Sequence, residues 1–528
     1  MTLLYRSAEL RRLEADAGAA LPPGTLMQRA GQSAAEAIDA WLAGQPAGAK
    51  GRILLLCGPG NNGGDGYACA LALQRQGHRC ICWSPRSGQR SDALAARARW
   101  LEAGGRIVPS LSDDGLDEDG AVRLVVDALF GIGLERPLDE PYLGALRWAQ
   151  ARALPIIALD LPSGLDADRG AWVGGSAGAA ALQTITFLGD KPGLHTLEGI
   201  DAAGRVTLAR LGVDEPAAGD PAGALRSAGC LNEPALFAHL LRRRPANSNK
   251  GDFGSVAVVG GGSGMVGAAL LAARAALQLG AGKVFVHALG APGLEVDLLQ
   301  PELMLRPTPA DGRLLTPADV LVVGCGLGTG PAAQGALECA LERPGPLVLD
   351  ADALNLIAGA AALRDRLAAR RAGSTILTPH PGEAGRLLGV ETAVVQHDRV
   401  RSALDLAQAC RAIVVLKGAG SIIALPPAPS EESARYAINP TGSAALATAG
   451  TGDVLAGMIG ALLAQSGAPH PAGAMASTLT AWPVQATLAA VWLHGQAARD
   501  HGAQIGLTAS AIAPLAARAL GRLRGDPD

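Results

Sequence analysis

The run Ile53-Leu54-Leu55-Leu56, followed by Gly58-Pro59-Gly60-Asn61-Asn62-Gly63-Gly64-Asp65-Gly66, constrains this chain most. An apolar run, a glycine turn and a small-residue helical pattern from Tyr67 to Gln76 spell strand, turn and helix. That order sets backbone N–H groups at a helix start, where they meet anions. Gly58, Gly60 and Gly63 satisfy the spacing G-x-G-x-x-G. Yet Asn61, Asn62 and Asp65 put two amides and a carboxylate where a plain dinucleotide loop needs none. Such a loop also needs an acid roughly 20 residues further on, for ribose hydroxyls. Here the second strand, Cys80-Ile81-Cys82-Trp83, runs into Ser84-Pro85-Arg86. The loop therefore does something besides hold a redox cofactor.

The same alternation continues along the chain. Strand-like runs are expected at 52–57, 79–83, 123–128, 155–161 and 184–187 in the first half. In the second half they fall at 255–260, 283–288, 320–323, 346–349, 374–377, 412–416 and 421–424. Short continuous apolar strands between helical segments predict parallel sheets covered on both faces. With 528 residues, more than one core is expected. The stretch from Val213 to Gly223, rich in Pro, Gly and Ala and without apolar period, reads as a linker. We place the domains at 1–220 and 221–528.

A net charge of -3 gives no electrostatic case for nucleic acid or an anionic membrane. The eight cysteines are scattered without a C-x-x-C pair, which argues against zinc and for reduced thiols in the cytoplasm. No signal-peptide core and no membrane-spanning run is present in the sequence.

In open parallel sheets, ligands bind beyond the carboxyl ends of the strands. Three strand ends of the first half carry polar groups: the opening loop, Asp127-Ala128-Leu129-Phe130-Gly131-Ile132-Gly133-Leu134, and Asp160-Leu161-Pro162-Ser163-Gly164-Leu165. Asn62, Asp127 and Ser163 offer oxygens, which suit hard cations. Asp160 is a candidate general acid or base. Taken singly, Asp127 and Asp160 equally suit turn caps.

In this order the three motifs resemble the NAD(P)H-hydrate epimerases, over most of residues 1 to about 215. The resemblance implies a Rossmann-like domain in which Asn61, Asn62, Gly63, Gly64 and Asp65 contact a hydrated dinucleotide. Gly131, Ile132, Gly133, Leu134, Glu135, Arg136 and Pro137 would contact it too. Asn62, Asp127 and Ser163 would hold a potassium ion, and Asp160 would work at the reacting carbon. Lys191-Pro192-Gly193 also matches, without an assigned role.

In the second half the informative segment is Asn439-Pro440-Thr441-Gly442, then Ala449-Gly450-Thr451-Gly452-Asp453. A glycine turn opening a helix can bind an anion, and Asp453 at its start can take a proton from a hydroxyl that attacks a phosphoryl group. No G-x-x-x-x-G-K-[ST] sequence is present, so this is not a P-loop. Asn249-Lys250-Gly251-Asp252, Gly260 to Ala268, Gly324-Cys325-Gly326, Asp350-Ala351-Asp352, Thr378-Pro379-His380-Pro381, Lys417 to Ser421 and Leu493-His494-Gly495 complete the set. Together they resemble the ADP-dependent NAD(P)H-hydrate dehydratases, a ribokinase-like branch, from about residue 230 onward.

By that resemblance Ala268, Gly326, His380 and Asp453 contact the hydrate. Lys417, Gly418, Ala419, Gly420, Ser421 and Gly452 hold the adenine nucleotide, with Mg²⁺ on its phosphates. In isolation His380 reads as a turn residue between two prolines. One departure stands out. The family usually carries an Asn-Pro-Gly-Met type run and two glycines before Thr-Gly-Asp; here Gly442 to Ala447 and Ala449-Gly450 stand instead. Ala449 matters only if its position needs positive φ.

The resemblances imply an α/β chain of two three-layer domains that repairs hydrated NADH and NADPH. The first domain would interconvert R and S hydrates. The second would phosphorylate the S form from ADP and expel phosphate. Expected partners are the two hydrates, ADP and further copies of the chain, in the cytoplasm. The alternative is a sugar or hydroxymethylpyrimidine kinase joined to a non-catalytic N-terminal binding domain.

Overall fold

The computed structural model describes residues 1–526 apart from 46–50, 87, 89, 112–120, 214–228, 292, 308–315, 428–434, 466–478 and 480. It divides into two compact units, Thr2–Ser227 and Ala228–Asp528. The expected linker, from Asp214 on, and the expected boundary at 220/221 lie outside the described residues.

In the first unit a short strand β1 (Leu3–Leu4) bridges to Asp190. The main sheet has seven strands: β2 (Arg52–Cys57), β3 (Cys80–Trp83), β4 (Ile107–Val108), β5 (Val122–Ala128), β6 (Ile156–Leu159), β7 (Gln183–Phe187) and β8 (Arg205–Ala209). Their order is β4-β3-β2-β5-β6-β7-β8, and every pair is parallel. All of β2 is buried, because its period-2 side chains feed both faces. Ile53, Leu55 and Cys57 join the core under helices Thr25–Ala43 and Asn61–Arg75. Leu54 and Leu56 join the opposite core with Tyr142 and Leu146. The strand order reverses between β2 and β5, so the crevice beyond their carboxyl ends is the natural ligand site of this sheet.

The second unit orders its strands β9-β18-β17-β16-β15-β14-β13-β10-β11-β12. Their ranges are β9 (Gly229–Leu231), β10 (Ser255–Gly260), β11 (Lys283–Ala288), β12 (Met304–Leu305), β13 (Val320–Val323), β14 (Leu347–Leu349), β15 (Thr375–Leu377), β16 (Ile413–Leu416), β17 (Ile422–Ala424) and β18 (Tyr436–Ile438). From β16 to β12 the pairing is parallel. The expectation of parallel sheets fails beyond that point: β16–β17 and β17–β18 are antiparallel. Lys417 to Ser421 is too short to carry a crossover helix, so β17 must fold straight back.

Strands β4, β8, β9, β12 and β18 were not expected. They are short or half-exposed, and a search for continuous apolar runs passes over them. Among the described residues no helix is long and apolar enough to cross a membrane, and all eight cysteines are free thiols.

Candidate functional site

The opening loop is shorter than the sequence suggests. The helix begins at Asn61, not Tyr67, so Asn61 to Asp65 form its first turns after the turn at Gly58 to Gly60. Their side chains are therefore fixed by helix geometry. A cavity of about 1200 Å³ lies at this end of the sheet. Asn61, Asn62, Asp65, Gly131, Ile132, Gly133, Leu134, Arg136 and Asp160 line it, as do Glu14 and Lys191. Among the expected contacts, Gly63, Gly64, Glu135 and Pro137 stand outside the lining. Gly63 lies against the turn, where a Cβ would come 1.9 Å from the Gly58 oxygen, and Gly64 lies against Met27. Glu135 points to solvent, 3.6 Å from Arg11.

Asp160 follows β6 with φ of +66°, a region few non-glycine residues occupy, and such strain collects at functional sites. Two contacts fix its carboxylate. The Lys191 ammonium sits 2.8 Å from Oδ1, and the Ile132 amide donates to Oδ2 at 3.3 Å. Gly131 has no room for a side chain, since a Cβ there would lie 2.4 Å from Asp160 Oδ2. Lys191 is 1% exposed and also donates to Thr186 Oγ1, Phe187 O and Gly189 O. A buried ammonium needs this full set of acceptors.

Asp127 and Ser163 meet behind the cavity. Ser163 Oγ donates to Asp127 Oδ1 at 2.6 Å and Ser163 N to Oδ2 at 2.8 Å. Burial nevertheless pushes the Asp127 carboxyl above its ordinary range. Asn62 Nδ2 donates to the Leu159 oxygen at the end of β6, and its Oδ1 is buried with no partner among the described residues.

In the second unit Asp453 lies in the first turn of helix Thr451–Ala464. The preceding Gly450 has φ of +86°, whereas Ala449 is not in the left-handed region. The replacement of the family's first glycine thus falls where a Cβ costs no backbone strain. Asp453 shares a cluster with Cys325 and Asp350, whose ligand atoms all lie within 4.8 Å of one another. Burial first, then the Asp350 charge, push the Asp453 carboxyl up to about 6; a hydrogen bond with the Cys325 thiol and the Lys417 charge act against this.

Asp350 Oδ1 accepts from Lys417 Nζ at 2.7 Å and Thr378 Oγ1 at 2.8 Å. Lys417 Nζ also lies 3.2 Å from where a Gly452 Cβ would stand, so the glycine turn and the lysine turn converge. A Cβ on Gly326, next to Cys325, would stand 3.0 Å from the Ala268 Cβ, so the two residues adjoin. His380 caps helix Pro381–Leu388: its Nδ1 accepts from the Gly382 and Glu383 amides, which puts its proton on Nε2. Its ring is half exposed, and its neighbour Pro379 accepts from the Lys417 amide at 2.9 Å. Gly418, Ala419, Gly420 and Ser421 form the turn beyond Lys417, closed by a bond from Ser421 Oγ to Gly418 O.

Two units, each with an acidic group at a glycine-opened helix, can be set against known proteins. A family described as NAD(P)H-hydrate dehydratase matches residues 256–519, and one described as YjeF-related protein N-terminus matches residues 23–193. The bifunctional NAD(P)H-hydrate repair enzyme Nnr of Gloeobacter violaceus is 37% identical over 505 residues, covering 94% of this chain and 92% of that protein. This chain belongs to the bifunctional NAD(P)H-hydrate repair enzymes. The Nnr of Escherichia coli strain K12 is also 37% identical, over 79% of this chain and 77% of its own length. Among solved structures, an ADP/ATP-dependent NAD(P)H-hydrate dehydratase from Bacillus subtilis, co-crystallised with ATP and Mg²⁺, is 30% identical with a TM-score of 0.42. It covers 54% of this chain and 97% of that one.

Within this repair-enzyme family member, sequence reasoning passed over four groups that the fold brings to the sites. Lys191 was seen but given no role, because a buried ion pair leaves no local pattern. Glu14 comes from helix Ser7–Ala19, far upstream of any motif. Arg399, 1% exposed, lies under the Lys417 turn and donates to the oxygens of Leu416, Lys417 and Gly420 at 3.3 to 3.5 Å. Burial lowers its guanidinium to about 10. His494 is also buried, which lowers it to about 4; it is therefore neutral, and Nε2–H donates to the Thr451 oxygen at 2.9 Å. That bond holds the start of the Asp453 helix. The Leu493-His494-Gly495 segment was the one available signal.

Proposed function

We propose that the chain epimerises the R and S hydrates of NADH and NADPH in its first unit. In its second unit it returns the S hydrate to NAD(P)H by ADP-driven phosphorylation and phosphate loss. The observation that carries the reading is the pair of acidic sites: Asp160 held by Lys191 over a cavity, and Asp453 clustered with Cys325 and Asp350 near Lys417.

Asp160 assists loss and return of the hydroxyl, and the Ile132 amide and Lys191 hold it in place for that work. The nearby residues of the cavity, with Asn61, Asn62, Asp65, Gly131 to Leu134 and Arg136, bind the hydrate. In the second unit Ala268, Gly326 and His380 position the S hydrate, and Asp453 takes the proton of its hydroxyl as that oxygen attacks phosphorus. A carboxyl pushed up to about 6 is ionised at neutral pH yet basic enough to accept a proton. Phosphorylation then turns hydroxide into a good leaving group.

ADP is assigned to Lys417, Gly418, Ala419, Gly420, Ser421 and Gly452. The Cys325 thiol and the Lys417 ammonium make the acidic cluster unlike the oxygen shell of Mg²⁺, so Mg²⁺ belongs on the phosphates of the nucleotide. The unpartnered Asn62 Oδ1 suits K⁺, which Asn62, Asp127 and Ser163 would hold; its charge would favour an anionic substrate. A homo-oligomer acting in the cytoplasm completes the reading, and light scattering of the purified chain checks the assembly.

The test is the R hydrate alone with ADP, Mg²⁺ and K⁺. Recovery of reduced-nicotinamide absorbance with release of inorganic phosphate needs both units. Recovery from the S form alone leaves the first unit without the proposed activity. A product that retains phosphate favours the small-molecule kinase reading.

A further inference from the structure

Asp160 alone leaves one proton of the epimerisation without a source. Hydration of the ring enamine puts the hydroxyl on the carbon next to nitrogen. Inverting that carbon needs a proton donor for the departing oxygen and an acceptor for the water that returns. A carboxylate held by an ammonium supplies the acceptor.

Apart from Asp92, two carboxyl groups besides Asp160 line the cavity, Asp65 and Glu14. The three acids differ in their partners. Asp160 has Lys191 at 2.8 Å and the Ile132 amide. Burial and then the Asp160 charge raise the Glu14 carboxyl above its ordinary range, against a hydrogen bond with the Asn61 side chain and the charges of Arg90 and Lys191. Asp65 has neither hydrogen bond nor ion pair among the described residues, and the groups acting on it are the carboxylates of Asp160 and Glu14. The other charges around the cavity are Arg11, Arg86, Arg90, Asp92, Arg136 and Lys191.

We propose that Asp65 is the second catalytic group of the epimerase site, the proton donor that works with the Asp160 carboxylate across their shared cavity. This rests on the epimerase reading above. Environments that push two acids apart separate the donor from the acceptor. Burial, then Asp160, then Glu14 raise the Asp65 carboxyl well above its ordinary range.

The steps balance. The Asp65 proton goes to the hydroxyl oxygen, the C–O bond breaks with its electron pair on oxygen, and water leaves. The ring-nitrogen lone pair forms the C=N bond of an iminium ion. Water adds to the other face, the C=N π pair returns to nitrogen, and the surplus proton goes to Asp160. The net change at the enzyme is one proton moved from Asp65 to Asp160, and that state runs the reverse direction.

The experiment uses the full chain, with R-to-S conversion followed by chromatographic separation of the epimers in the absence of ADP. Asp65→Asn is expected to lower kcat by about 10²–10⁴-fold with KM within about threefold; Asp65→Glu is expected to restore part of it. ADP-driven dehydration of the S form in the same preparation reports that the chain is folded. Glu14→Gln removes one of the two charges that keep the proton on Asp65. It is expected to move the alkaline limb of the epimerase pH profile to lower pH. An Asp65→Asn enzyme that keeps kcat and loses only KM makes Asp65 a binding contact and overturns the proposal. So does an alkaline limb that stays in place in Glu14→Gln, which decides the matter if Asp65→Asn does not fold. A wild-type chain that fails to convert R to S overturns the epimerase reading itself.

Discussion

Replacing Cys325 by alanine isolates what sets the proton affinity of Asp453. The thiol is fully buried and makes a hydrogen bond with the Asp453 side chain that favours the ionised form. Alanine removes that donor and leaves the burial and the Asp350 charge in place. Hydrogen bonds to charged groups contribute about 1.5–3 kcal/mol, and a thiol is a weak donor, so about 1 kcal/mol is a reasonable loss. That corresponds to about 0.7 of a pKa unit, upward from about 6. At about pH 6.5 the ionised fraction of Asp453 then falls from about three quarters to about two fifths. At about pH 8.5 both proteins are fully ionised, and their rates converge. The assay is recovery of reduced nicotinamide from the S hydrate with saturating ADP and Mg²⁺ across a pH series, which bypasses the first unit. Cys325→Ser, with a stronger donor, is expected to shift the acid limb the opposite way. A loss of activity uniform across pH, or an acid limb that moves down in the alanine variant, refutes the reasoning.

Three other perturbations have definite outcomes. Lys191→Met leaves the Asp160 carboxylate without its partner, a loss worth about 3–5 kcal/mol for a buried pair. R-to-S conversion should collapse while ADP-driven dehydration of the S form persists. Arg399→Met removes the donor beneath the Lys417 turn; the KM for ADP should rise about tenfold, with the KM for the S hydrate unchanged, if about 1.4 kcal/mol of loop ordering is lost. His494 is lowered from 6.5 to about 4, so the unfolded chain binds more protons in that window and stability falls as pH drops from about 6.5 towards 4. The shift amounts to about 3 kcal/mol, and His494→Gln, which keeps an N–H donor, should flatten that part of a denaturant-measured stability profile.

The strands of both sheet centres were legible because they are continuous apolar runs. β2, β10, β11 and β13 fall on their expected residues. The antiparallel hairpins after β16 were hidden by the assumption that alternating strands imply crossovers, although the Lys417 to Ser421 spacing already forbade one. The site residues were legible where chemistry is local. Asp160, Ser163 and Asp453 sit in short motifs next to strand or helix ends. Glu14 and Arg399 were not, because a charged residue on a helix reads as a solvated face until another element covers it.

The sequence by itself determined the order of strands, turns and helices, and marked Asn61, Asn62 and Asp65 as residues for which a redox-cofactor loop has no use, although they stand in the first turns of the helix and not in the glycine turn. Periodicity and local turn chemistry carry that information within a few residues. The tertiary structure decided which charges meet. It set Lys191 against Asp160, brought Asp65 under the charges of Asp160 and Glu14, and put the Cys325 thiol beside Asp453. Those pairings join residues distant along the chain, and no local pattern encodes the burial that raises the Asp65 and Asp453 carboxyls.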